Sequence, residues 1–208
     1  QVTDVLPRLS VESPPELQPP QVNPELSPGT AHDVFEIQEL VARGVESQIY
    51  RARGPQGRLV AIKLFNADVA LPRILSEQQF VAAVRHPCIV RVDNSHRWGD
   101  GRFYLPFDWI PGRTLRAQIE TTDLPDVDRF SRVAMQLLEA LQLLHAFSDD
   151  LGVARPILHN DIKPENILLD ETGRAVIIDF GSSSHPRVGL YEGTEGYIAP
   201  DLRLGQDR

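Results

Sequence analysis

Between residues 35 and 65 stand three short apolar runs, FEIQELVARG, SQIYRAR and GRLVAIKLF, broken by glycine. Short apolar runs of this length between turn residues read as strands, here an antiparallel meander with a tight turn at 54–57. From Ile74 to Val84 the spacing changes: Ile74, Phe80, Val81 and Val84 recur near the helical period, and His86-Pro87 closes the segment. Two further strands are predicted over 89–95 and 102–107, after which the proline and glycine of WIPG mark a crossing into a helical region. There Phe130, Val133, Ala134, Leu137, Leu138, Leu141 and Leu144 form a long apolar stripe at i, i+3, i+4 and i+7, the pattern of a buried helix.

The first 30 residues break both patterns. Pro7, Pro14, Pro15, Pro19, Pro20, Pro24 and Pro28 stand among few large apolar side chains, a composition that favours extended, unpacked backbone, so residues 1–30 are expected to be a disordered linker. A ligand for a proline-recognising module is the other reading, but no PxxP run with adjacent basic residues stands out. No internal repeat is present. With 208 residues and 41% hydrophobic content, the remainder suffices for one domain with a real core. The net charge of −8 argues against a nucleic-acid scaffold, which needs a basic surface. Cys88 is the only cysteine, which excludes an intrachain disulfide or a cysteine-based zinc site and reads as a buried thiol in a reducing compartment. No apolar run approaches the roughly 18 residues of a membrane helix, and no signal peptide is visible, so a cytoplasmic chain without a membrane span is expected.

The strip from His159 to Gly181 reads HNDIKPENILLDETGRAVIIDFG. Asp161 can accept the proton of an attacking hydroxyl, Lys163 lies two residues on to meet a transferring phosphate, and Asn166 and Asp179 supply oxygen ligands of the kind magnesium prefers. Upstream, VAIK places Lys63 among apolar strand neighbours, where an ammonium is costly unless an anion meets it. An exposed strand lysine is the ordinary alternative, and Glu77, ten residues before Pro87, taken singly is an ordinary solvated helix position. Downstream stands GTEGYIAP, with Thr194.

With HNDIKPEN, DFG, VAIK and GTEGYIAP in this order, the chain resembles the eukaryotic-type serine/threonine protein kinases from about residue 34 to residue 208. The resemblance implies an α+β, two-lobe fold: an antiparallel-sheet amino lobe over about 31–110 and an incomplete helical carboxyl lobe, the kinase domain running over 31–208. It implies ATP and magnesium as cofactors and a protein serine or threonine hydroxyl as acceptor, because DxKPEN is the serine/threonine form of the catalytic loop. Asp161 is then the catalytic base, with Lys163 and Thr194 around it, and Asn166 and Asp179 the metal ligands. Lys63 meets nucleotide phosphate and is held by Glu77. Val41, Ile49, Ala61 and Leu168 sandwich the adenine, the backbone of Asp108 and Ile110 meets its edge, and Phe107 lies at the back. His159 and Phe180, with Val81 and Val92, form an apolar column, which makes His159 a core histidine and not a base.

The chain departs from the family pattern in several places. Where the phosphate-covering loop usually carries three glycines, this chain has Ala42, Gly44 and Ser47. Asn160 replaces the arginine that usually receives a phosphorylated activation-loop residue, so activity independent of that phosphorylation is expected. Asp201 stands for the glutamate of the Ala-Pro-Glu motif, and the connection from His145 to His159 is long. Further domains upstream of Gln1 and missing carboxyl-lobe residues beyond Arg208 are expected. The isolated 208-residue piece is expected to be unstable or inactive through an uncovered Phe130–Leu144 helix. Two other functions compete with the kinase: a pseudokinase scaffold, favoured by the glycine-poor loop and Asn160, and a small-molecule phosphotransferase of the same fold, disfavoured by GTEGYIAP.

Overall fold

The three short apolar runs form the strands expected of them. In the computed structural model, which describes residues 24–121, 126–186 and 193–199, the first sheet contains β1 (Ala31–His32), β2 (Phe35–Arg43), β3 (Ser47–Arg53), β4 (Leu59–Phe65), β5 (His96–Arg97) and β6 (Phe103–Asp108). Their spatial order is β1-β2-β3-β4-β6-β5, every neighbouring pair antiparallel. Gln56 and Gly57 carry φ of 57° and 80° in the turn between β3 and β4.

Register decides what each face of this sheet carries. Tyr50, Ile62 and Pro106 share one row across β3, β4 and β6, and Ile49, Lys63 and Leu105 share the next. Successive side chains point to opposite faces. The Tyr50 face, with Val60, Leu64, Tyr104, Phe35, Ile37 and Trp98, closes an outer core. The Leu105 face, with Phe65 and Phe107, opens onto the helix α1 (Leu71–Ala83) and the second lobe.

Helix α1 starts after the extended Ala70, with proline in its first turn, where a missing N–H costs nothing. It buries Ile74, Glu77 and Val81 at i, i+3 and i+7. The strand predicted over 89–95 does not form. That segment makes only single bridges, Ile89 to Ile177 and Val92 to Phe107, and regular pairing resumes in the two-residue β5. The segment is instead a tie between lobes: Val90 N–H donates to Ile177 C=O at 3.0 Å, and Ile177 N–H donates to Cys88 C=O at 2.8 Å. Cys88 is a free, buried thiol.

The second lobe contains β7 (Gly112–Thr114), α2 (Leu115–Glu120), α3 (Val127–His145), β8 (Ile167–Asp170) and β9 (Ala175–Ile177), with sheet order β7-β8-β9. Thr114 caps α2 through Ala117 N–H at 3.1 Å, and Asp126 caps α3 through Arg129 N–H at 3.0 Å. A Cβ on Gly112 would lie 2.1 Å from Leu169 O, so β7 and β8 approach more closely than any side chain permits. One apolar cluster runs through both lobes, joining Val81, Leu105 and Phe107 to Leu144, Ile157, Ile177 and Phe180.

The expectation of a buried helix is corrected here. Helix α3 exists, but only Val133, Ala140 and Leu144 are buried, while Phe130 is 67% and Leu138 61% exposed. Its apolar stripe is wider than the face that β8 and β9 cover. At the amino end, the packed chain begins inside the predicted linker: Leu26 N–H donates to Tyr50 Oη at 3.0 Å, Glu25 pairs with Arg43, and Gly29 N–H donates to Ile37 C=O at 2.8 Å. Residues 1–23, and with them most of that linker, lie outside the described residues, as do Tyr191 and Asp201. The long connection after α3 is a compact turn in which the Asp149 carboxylate accepts from Leu151 and Val153 N–H.

Candidate active site

Lys63 lies on β4 and Glu77 on α1, both on the side of the sheet that faces the second lobe, and the fold closes the distance between them. Lys63 Nζ donates to Glu77 Oε1 at 2.7 Å and Oε2 at 2.9 Å, and to Asp179 Oδ1 at 2.7 Å. One ammonium thus serves two carboxylates. Burial pulls the Lys63 pKa down, but the two carboxylates beside it outweigh that and hold it above the ordinary lysine value. Burial pushes Glu77 above the usual carboxylate range, only partly offset by Lys63. Asp179 is also opposed by burial, yet Lys63 and the Gly181 N–H hold its pKa below the ordinary value.

The second group of residues forms on the loop before β8. His159 is buried, its Nδ1 accepting from Asp161 N–H at 3.3 Å and its Nε2–H donating to Ile178 C=O at 3.2 Å. Burial lowers its pKa, and its ring meets Phe180 edge-on at 4.7 Å. Val81 lies in the same cluster and Val92 packs against it, so His159 is a neutral core residue that fixes the loop. Asn160 turns the chain with φ of 65°, Lys163 is extended, and Pro164 opens a single 3-10 turn over Pro164–Asn166.

This path brings four side chains together. Thr194 donates to Asp161 Oδ1 through its N–H at 3.0 Å and its hydroxyl at 2.6 Å. Asn166 Nδ2 donates to Asp161 Oδ2 at 3.0 Å and to its C=O at 2.9 Å, and Lys163 Nζ lies 2.7 Å from Oδ2 and 2.6 Å from Thr194 Oγ1. Burial would raise the Asp161 pKa; the Lys163 and Thr194 hydrogen bonds outweigh it and lower the value. Asp161 is therefore a held, ionised acceptor, suited to orienting a hydroxyl more than to strong base catalysis.

Asn166 spends both its N–H groups on Asp161, which leaves its Oδ1 without a donor among the described residues. Asp179 Oδ1 is taken by Lys63, and its Oδ2 has no donor among them. Asp179 reaches this position through φ of 62°, a left-handed conformation unusual for a residue other than glycine and characteristic of sites where side-chain direction matters. Two hard oxygens with this freedom fit magnesium, which keeps several waters and phosphate oxygens in its shell. No group of three or more His, Cys, Asp or Glu side chains able to hold a metal is present among the described residues.

The other residues expected around the nucleotide are more scattered in character. Ile49, Ala61 and Leu168 are half-buried, Val41 is exposed at an irregularity in the β2–β3 register, and Phe107 is buried. Asp108 N–H donates to Arg91 C=O at 3.0 Å and its carboxylate pairs with Arg58, so the backbone group of Asp108 still available to a ligand is its C=O; Ile110 packs on the shared core. Gly44 accepts no special conformation, and a Cβ there would only touch Ser47 O at 3.5 Å, so nothing in the hairpin demands glycine. A cavity of about 880 Å³ lies elsewhere, on the outer side of the first sheet, lined by Asp33, Arg58, Asp93, His96 and Tyr104, and contains none of these side chains.

Three features escaped the sequence. Arg116 on α2 donates to Glu165 Oε1 at 2.7 Å and to Tyr197 Oη at 2.6 Å, clamping the 163–166 turn to the Thr194 turn from outside. Asn160 Nδ2 donates to Ser182 C=O and Ser184 Oγ. A Cβ on Gly193 would lie 2.7 Å from Asn160 O, which requires a glycine immediately before Thr194. Arg116 is a polar side chain with no period or motif to single it out; Asn160 in HNDIKPEN and the glycine of GTEGY were legible, but their contacts were not.

Comparison with known proteins agrees with the two-lobe fold. The family model described as the protein kinase domain matches residues 35–207. The serine/threonine-protein kinase PknA of Mycobacterium tuberculosis (strain ATCC 25618 / H37Rv) is 30% identical over 189 residues, covering 83% of this chain and 42% of that protein. The serine/threonine-protein kinase gad8 of Schizosaccharomyces pombe is 30% identical over 184 residues, covering 83% and 31%, and the CBL-interacting protein kinase 19 of Oryza sativa subsp. japonica is 31% identical over 188 residues, covering 83% and 35%. Among solved structures, one titled "PpkA-294 apo form" superposes with a TM-score of 0.64 at 26% identity, over 76% of this chain and 62% of that one. The chain spans less than half the length of these curated relatives. With the matched domain covering most of its length and the two-lobe arrangement in place, the chain belongs to the eukaryotic-type serine/threonine protein kinase family.

Proposed function

We propose that the chain is the catalytic part of a kinase that transfers the terminal phosphate of ATP to serine or threonine hydroxyls of protein substrates. The observation that carries this reading is the double occupancy of Asp161: both carboxylate oxygens are held, one by Thr194 and one by Asn166 and Lys163. Asp161 orients the acceptor hydroxyl, which displaces the Thr194 hydroxyl from Oδ1, and takes its proton late, since a loose transition state asks for positioning more than base strength. Lys163 neutralises charge beside it. Lys63, fixed by Glu77, binds nucleotide phosphate. Asn166 and Asp179 are the residues that would hold magnesium, whose charge would stabilise the phosphate oxygens. Val41, Ile49, Ala61 and Leu168 enclose the adenine, with Asp108 and Ile110 at its edge. The kinase domain runs over residues 31–208 with its carboxyl lobe incomplete, its amino lobe ending near 110.

Asn160 carries no charge, so a phosphorylated activation segment finds no cation there, and activity is independent of that modification. The test is magnesium-ATP phosphotransfer to a generic serine/threonine substrate by the full-length protein, beside Asp161→Asn. Transfer that disappears in the variant supports the kinase. A folded protein that binds nucleotide but transfers nothing points to the scaffold reading, which the glycine-poor loop at Ala42, Gly44 and Ser47 and Asn160 favour.

A further inference from the structure

We infer that Asn160 is a positioning residue: through Ser182 and Ser184 it locks the segment that follows Asp179 against the catalytic loop and, through His185, against α1. The inference rests on the kinase reading above for its consequence on rate, and on geometry for the lock itself. Asn160 Nδ2 donates to Ser182 C=O at 2.8 Å and to Ser184 Oγ at 2.9 Å, so both amide hydrogens are used on one segment. Beside them Leu158 and Ser184 exchange two backbone hydrogen bonds, of 2.8 and 3.0 Å. The next residue, His185, donates from Nδ1 to Pro156 C=O at 2.9 Å and sets its ring edge-on to Phe80 at 5.2 Å. Phe80 stands one helical turn beyond Glu77 on α1.

The lock therefore reaches both halves of the site. Only two residues separate Asp179 from Ser182, and the intervening Gly181 lies against the ion triad: a Cβ there would be 3.3 Å from Asp179 Oδ1, 3.4 Å from Glu77 Oε2 and 3.6 Å from Lys63 Nζ. A displacement of 182–185 is felt at the metal-facing carboxylate and at the helix that carries Glu77. The residue type follows from the backbone. At φ of 65° asparagine is tolerated where longer side chains are strained, and its amide supplies the two donors that two neutral acceptors require. An aspartate would repel the Ser182 C=O and could keep only a bond donated by the Ser184 hydroxyl.

Asn160→Gly separates the lock from the backbone, because glycine keeps the left-handed conformation and loses only the side chain. In the full-length protein its kcat is expected to fall about tenfold, the equivalent of about 1.4 kcal/mol for two neutral hydrogen bonds, with the KM for ATP within about twofold of wild type. Ser184→Ala, which removes one of the two acceptors, lowers kcat about threefold, adds nothing to Asn160→Gly, and is milder when the replacement is threonine, which keeps the oxygen. Hydrogen exchange of the Leu158 and Ser184 amides is faster in Asn160→Gly. Wild-type kcat with unchanged exchange, or a full threefold loss when Ser184→Ala is added to Asn160→Gly, overturns the inference. Should the folded wild-type protein bind magnesium-ATP and transfer nothing, the kinase reading fails, and exchange alone decides: faster exchange in Asn160→Gly supports the lock and unchanged exchange overturns it.

Discussion

Replacing Lys63 with methionine keeps the length of the side chain and removes the one cation between two carboxylates. In the wild type its Nζ lies 2.7 Å from Glu77 Oε1 and 2.7 Å from Asp179 Oδ1. The Asp179 side chain is 46% exposed and keeps contact with water, but Glu77 is 3% exposed and has nowhere to spread its charge. Breaking a buried pair from one side costs about 3–5 kcal/mol when the remaining charge stays in place. Glu77 escapes part of that by taking up a proton, since burial already pushes its pKa up with Lys63 present and pushes it further without. A carboxyl whose pKa is raised by folding binds a proton on folding. Its stabilisation is complete below the unfolded value of about 4.3 and is lost as pH rises through the folded value, at up to about 1.4 kcal/mol per pH unit. The Lys63 ammonium, with its pKa raised, titrates above this window and adds no slope to the wild type near neutrality. Urea denaturation of wild type and Lys63→Met at pH 5, 6, 7 and 8 should therefore give a difference of about 3–5 kcal/mol at pH 8 that shrinks toward pH 5. Adding Glu77→Gln should flatten it. A difference that is constant from pH 5 to 8, or that grows toward acid, would refute the account of Glu77 as the buried, proton-accepting partner.

Other expectations follow from single contacts. Gly112→Ala forces a Cβ to 2.1 Å from Leu169 O and should cost about 3 kcal/mol or more by denaturant titration, since neither strand can retreat without losing the other's pairing. Asp170 accepts from Thr172 N–H and Oγ1–H and from Arg174 N–H and Nε–H; burial opposes its ionisation, but these donors lower its pKa. Asp170→Ala should cost about 1–2 kcal/mol at pH 7, and because a depressed carboxyl contributes above its unfolded pKa and loses that contribution as pH falls through its folded one, the cost should vanish at strongly acidic pH. Phosphatase treatment of the full-length protein should leave phosphotransfer unchanged; a large loss would contradict the reading of Asn160. Phe130→Ser with Leu138→Ser, at positions 67% and 61% exposed, should raise the solubility of the 208-residue chain without lowering its melting temperature.

Most of the candidate chemistry was legible before any coordinate, because its parts are contiguous. Asp161, Lys163, Asn166 and Asp179 fall in one strip, where spacing along the chain carries the information that spacing in the fold later realises. The strands β2, β3, β4 and β6 were legible for a similar reason: each is a short apolar run bounded by turn residues, a signal confined to neighbouring positions. The strand expected over 89–95 was not, because Ile89, Val90 and Val92 are equally at home in a strand and in an extended tie between lobes, and only the positions of β6 and β9 select the tie.

What the sequence determined by itself, then, was the strands β2, β3 and β4, the helices α1 and α3, and the grouping of Asp161, Lys163, Asn166 and Asp179 in one strip, all of which depend on residues near one another in the chain. The tertiary structure alone decided how charge is shared. Lys63 meets Glu77 across 14 residues and Asp179 across 116, and whether that ammonium is buried between two carboxylates or solvated depends on how α1 and the two lobes close on it. It also decided which part of the α3 stripe is covered and that Asn160 holds Ser182 and Ser184, since hydrogen bonds and burial depend on distance in space, and a polar side chain in a loop has no period from which its partner can be read.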